Sequence, residues 1–173
     1  MTIEMVLSVI ARDRPGLVNR LAAEIVAQRG NWIDSSMARL GGDFAGIVRV
    51  ALPEENAGAL EAGLTRLAEE GVTVLARRSE GPAVPAGQRA VLELTCSDHP
   101  GIVRDISDRL AARRVSIDEL ETQVFTGSMS GEALFSAKAR IVIPDGVSAT
   151  AVREDLERIG LDMMAEIVLR EAE

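Results

Sequence analysis

Hydrophobic positions in the first 80 residues change period along the chain. Met5–Ala11 alternates apolar residues about Ser8 and reads as a strand. Leu17, Leu21 and Ile25 then recur every four residues with Val18 beside them, which marks one buried helix stripe. Trp32–Leu40 and Phe44–Leu52 read as a hairpin joined through Gly41-Gly42-Asp43. Leu60, Leu64 and Leu67 mark a second helix ended by Gly71, and Val72–Arg77 reads as the closing strand. The second half repeats the order with Val91–Cys96, Ile102–Arg113, Ile117–Phe125, Leu134–Ile143, Val147–Ile159 and Met163–Leu169. Strand, helix, strand, strand, helix, strand is the ferredoxin-like βαββαβ plan. The predicted class is α+β, with two antiparallel sheets. Each sheet carries its two helices on one face and leaves the other for a partner.

The repeat is also visible residue by residue. Asp13-Arg14-Pro15-Gly16-Leu17-Val18 aligns with Asp98-His99-Pro100-Gly101-Ile102-Val103 at an offset of 85. The same offset carries Leu21 onto Ile106 and Ile25 onto Leu110. By Pro53 and Pro144 the offset has grown to 91, so the second copy holds six extra residues within Val124–Leu134. A nine-residue stretch from Glu80 to Gln88, with two Pro and two Gly, separates the copies. Neither helix nor strand tolerates that density, so it reads as a linker. The expected domains are residues 1–80 and 89–173, with a linker over 81–88. A unit of this size is marginal alone, so the copies are expected to pack on each other or on another chain.

Composition narrows the function. With 19 Lys and Arg against 27 Asp and Glu, the net charge is -8, and neither half has a basic excess. That field repels nucleic acid and membrane surfaces. Aromatic residues make up 2%, too few for a base-stacking platform. One Cys and one His exclude a disulfide framework and a zinc site built from several such ligands. The N-terminus does not read as a signal peptide, and no stretch approaches the about 20 apolar residues of a membrane span. A reduced, cytoplasmic compartment fits these features.

The duplicated Asp-x-Pro-Gly step admits two readings. One is a helix cap plus a turn, with Asp13 as N-cap and Pro15 where a missing N–H does no harm. The other is a ligand site. Helix-start N–H groups and the macrodipole favour an anion, and Gly16 or Gly101 lets a carboxylate approach the backbone. Asp13 or Asp98 would accept from an ammonium. Together these describe an amino-acid zwitterion.

Two βαββαβ units, each with an Asp-x-Pro-Gly-(Leu/Ile)-Val loop opening its first helix, resemble tandem ACT domains. Asn31, directly after Gly30, opens the second strand as in that family's Gly-x-Asn-Ile signature, and Ser116-Ile117 takes the place in the second copy. The stretches from Asn31 to Ile47 and from Glu119 to Phe135 resemble the glycine cleavage system transcriptional repressor group. The resemblance implies amino-acid sensing at a domain interface, with glycine or serine as first ligands. It implies control of a partner protein, a transcription activator, with no catalysis and no cofactor. It also implies homo-oligomers or pairing of the two ACT units within one chain. The ligand would be clasped by Asp13, Arg14, Pro15, Gly16 and Leu17 together with Asn31 of a neighbouring unit. In the second copy the counterparts are Asp98, His99, Pro100, Gly101, Ile102 and Ser116. Because Ser116 reaches less far than Asn31, at most one of the two site types is expected to be fully competent. The alternative is an ACT-fold interaction protein that binds no ligand and regulates another enzyme or regulator.

Other residues carry less. His99 has no nucleophile or second acid fixed near it by sequence, and Cys96 reads as a small core residue. The extra loop at residues 126–131 is either a hairpin end or a flap over a ligand.

Overall fold

The computed structural model describes residues 1–81, 86–128 and 131–172. The chain divides into two compact units, Met1–Ala83 and Val84–Glu173. The first holds β1 (Thr2–Arg12), α1 (Leu17–Ala27), β2 (Asn31–Leu40), β3 (Asp43–Pro53), α2 (Ala57–Arg66) and β4 (Val72–Arg78). The second holds β5 (Gly87–Ser97), α3 (Ile102–Ala112), β6 (Ser116–Thr126), β7 (Ala133–Pro144), α4 (Ala149–Met163) and β8 (Glu166–Glu171). Each unit forms a four-stranded sheet, ordered β2-β3-β1-β4 and β6-β7-β5-β8, antiparallel throughout.

The alternation sorts one side of each strand into the core. Met5, Leu7 and Val9 of β1 and Val48, Val50 and Leu52 of β3 are buried with Leu17, Leu21 and Ile25 of α1 and Leu60 and Leu64 of α2. Leu92, Leu94, Ile106, Leu110, Val152 and Leu156 do the same in the second unit. Each such side chain contributes about 1.5–3 kcal/mol on burial. In both units the second strand slips register near its start, between Trp32 and Asp34 and between Ile117 and Glu119. Strand order and irregularity are therefore both duplicated.

Two boundaries differ from expectation. The fourth helix was expected to stop at Ile159 with Met163 opening a strand, but α4 continues through Gly160 to Met163. Gly160 is buried within the helix, where a Cβ would lie 3.2 Å from the Ala165 carbonyl oxygen. Its role is close packing, and Met164 ends the helix instead, in the left-handed conformation at φ 50°. Part of the expected linker is strand: Gly87 and Gln88 pair with Pro144 and Ile143. Pro82, Ala83, Val84 and Pro85 of that linker lie outside the described residues.

Candidate functional site

The loops after β1 and β5 are built alike. The Asp13 N–H donates to the Gly42 carbonyl at 3.1 Å, and the Asp98 N–H donates to the Ala133 carbonyl at 2.9 Å. Each loop hangs from the start of the hairpin's second strand. The expectation that Asp13 caps the helix is corrected. The N-cap residues are Gly16 and Gly101, at φ 91° and 100°, and no side chain caps either helix. Only glycine takes that left-handed conformation without strain. The helices begin at Leu17 and Ile102, so Pro15 sits in the preceding turn and not at the first helical position. The first helical bonds run from the Arg20 N–H to the Gly16 carbonyl and from Asp105 to Gly101, both 2.9 Å. The preceding N–H groups, those of Leu17, Val18 and Asn19 in the first copy, have no partner within the helix.

The two copies then diverge in charge. The Asp13 carboxylate forms an ion pair with Arg39 of β2, Oδ2 lying 2.7 Å from Nε, and its side chain is 28% exposed. Arg14 donates to the carbonyl of Glu70 beyond α2, and Arg20 makes a two-pronged ion pair with the Glu70 carboxylate. The Arg20 guanidinium holds Glu70 below the ordinary carboxylate range, chiefly by hydrogen bonding. Asp98 makes no ion pair among the described residues. His99, in the place of Arg14, sets its Nδ1 3.2 Å from the Pro100 carbonyl oxygen. Cys96 is buried, and burial, with a smaller effect from Asp98, pushes its thiol up.

Strand register separates the two halves of the expected site. Asn31 pairs with Ala51, which pairs with Glu4 near the beginning of β1. Asp13 follows Arg12 at the other end of that strand. Eight residues from Glu4 to Arg12, at about 3.3 Å each, put Asn31 about 26 Å along the sheet from the start of the Asp13 loop. Ser116 and Asp98 are divided in the same way, through Val142 and Arg89. No single unit brings its own loop and its own Asn31 or Ser116 together.

An apolar cavity of about 60 Å³ in the second unit went unforeseen. It lies between α3 and β6, and Ile102, Val103, Ile106, Ile117, Leu120 and Phe135 contribute to its lining. In the first unit the counterpart of Ile117 is Trp32, which packs against the core. The available signal was the repeat itself: Trp32 is replaced by the smaller Ile117 at the same register. In the extra loop, Gly127 donates to the Glu132 carbonyl at 2.9 Å, while Met129 and Ser130 lie outside the described residues. No group of three or more His, Cys, Asp or Glu among the described residues could hold a metal ion. No helix among them is long and apolar enough to cross a membrane.

Residues 4–75, within the first unit, match the family model described as ACT domain. The second repeats its strand order and register, and the whole chain has a tandem ACT fold. A crystal structure of an unknown protein from Galdieria sulphuraria is similar over the full length of both chains, at 30% identity and a TM-score of 0.85. A structure of a proposed glycine cleavage system transcriptional repressor is similar over 100% of this chain and 99% of its own, at 18% identity and a TM-score of 0.76. No curated protein matches the chain.

Proposed function

We propose that the chain is a regulatory protein that senses a small amino acid at the entrance of α1 or α3 and acts through a protein partner. The observation that carries this is the pair of left-handed glycines, each opening a helix whose first N–H groups have no side-chain cap. Such an end receives a carboxylate. Asp98, which has no cation partner among the described residues, receives the ammonium. Asn31 or Ser116 comes from another ACT unit, because register keeps each far from its own loop. Glycine and serine are the first ligands to test, because of the likeness to a proposed glycine cleavage system transcriptional repressor. That likeness supports control of the glycine cleavage system, and the net charge of -8 favours action through a protein partner, a transcription activator, over direct DNA binding.

The second reading is an ACT-fold interaction protein without a ligand. It is favoured in the first copy, where Arg39 already neutralises Asp13 and Arg14 is held by Glu70. Titration calorimetry of the full chain with glycine, serine and leucine separates the readings. Glycine or serine binding that Asp98→Asn weakens supports sensing. Silence toward all three supports the second reading.

A further inference from the structure

The two units share a fold but present different open sheet faces. On the first sheet, one cross-strand row runs Ser36, Ile47, Ser8 and Leu75. The matching row of the second sheet runs Glu121, Lys138, Glu93 and Val168. The neighbouring first-sheet row is Ala38, Ala45, Ile10 and Thr73, again uncharged. Ile10, Ile47 and Leu75 stand 51%, 54% and 69% exposed. The fold does not impose this apolar centre, because the second sheet fills the corresponding row with charges. Exposed apolar side chains gathered on one face mark an interaction surface.

We infer that the open face of the β2-β3-β1-β4 sheet binds the same face of a second copy of this chain. Charge argues for that occupant. The face carries Glu4, Asp34 and Asp43 against Arg12, Arg49 and Arg77, three of each sign, on a chain whose net charge is -8. Most of these charges pair at the margins: Arg49 with Asp34 and Glu4, and Arg12 with Asp43. An apolar centre with a paired polar rim is the usual anatomy of a specific interface. Two acidic molecules meet here without like-charge repulsion, whereas a basic partner is drawn to the acidic surface elsewhere. Area agrees. Strands of 10, 11, 11 and 7 residues, spaced about 4.8 Å with a rise of about 3.3 Å, cover about 600 Å² per copy. That reaches the lower limit of stable interfaces, about 600 Å² per partner. The twofold symmetry of such a dimer places each contact residue in the interface twice.

The inference is independent of amino-acid binding, and its test uses none. Sedimentation velocity of the full chain from about 1 to 100 µM is expected to show a monomer–dimer equilibrium. Ile47→Lys and Leu75→Lys, each checked for folding by circular dichroism, are expected to raise the dissociation constant roughly 100-fold or more. Thr95→Lys, at the position of the second sheet that matches Ile10, is expected to leave it unchanged. A wild-type chain that stays monomeric at 100 µM overturns the inference. So does a dimer that both folded lysine variants leave intact.

Discussion

Arg39 of β2 forms an ion pair with Asp13, its Nε 2.7 Å from the carboxylate, and ties the loop before α1 to the hairpin. Asp98 has no such clamp among the described residues, although the surrounding chain is built alike. Identical motif residues are thus in different electrostatic states in the two copies. The pair is largely solvent-exposed, so Arg39→Ala is expected to lower the unfolding free energy by less than about 1 kcal/mol. Its larger effect is on the proposed ligand. Asp98→Asn is expected to weaken glycine or serine binding by roughly tenfold, the scale of one charge-assisted hydrogen bond. Asp13→Asn is expected to weaken it by under about threefold. Calorimetry on both variants checks this, and equal losses would show that Arg39 does not occupy Asp13.

Gly16 and Gly46 are needed for different reasons. A Cβ on Gly16 meets nothing within 4 Å, so only its φ of 91° resists substitution. Gly16→Ala is therefore expected to cost about 1–2 kcal/mol. Gly46 has no such φ, yet a Cβ there would run into the backbone of Ser36 and Met37 on β2. Gly46→Ala is expected to cost more, about 3 kcal/mol, because a strand must shift. Urea denaturation of the two variants ranks them, and the reverse order contradicts this account.

Cys96 is 4% exposed, and burial raises its thiol above the ordinary range. Reaction needs an exposed thiolate. At pH 8 a colorimetric disulfide reagent is expected to label the folded chain at least about 100-fold more slowly than the urea-unfolded chain. Equal rates would mean that this core opens readily.

The Arg113 Nε donates to Asp155 at 2.7 Å, joining the end of α3 to α4. The hydrogen bond holds the Asp155 carboxyl below its ordinary range. A carboxyl so lowered binds its proton less readily folded than unfolded. Its contribution is therefore complete above the ordinary value of about 4 and is lost as pH falls through the folded value. Asp155→Asn is expected to melt below wild type at pH 7, and the gap should narrow as the pH falls below about 4. A gap that persists there would assign the loss to packing.

Much of the fold was legible because its causes are local. The four-residue recurrence of Leu17, Leu21 and Ile25 can bury only one helical stripe, and the alternation through Met5–Ala11 can bury only one strand face. The repeated Asp-x-Pro-Gly step exposed the duplication, so the element order followed twice. The expected helix end at Ile159 fell short because Gly160 is buried within α4, where a Cβ would lie 3.2 Å from the Ala165 carbonyl oxygen. The sequence named the loop residues, but only strand register shows that Asn31 lies about 26 Å from its own loop along the sheet. Only tertiary structure shows that Arg39, 26 positions along the chain, holds Asp13 while Asp98 is left without an ion pair. Period and backbone sterics act between near neighbours, so a sequence carries them openly. Which charges meet, and which sheet face stays apolar in the open, depends on the register that brings distant strands side by side.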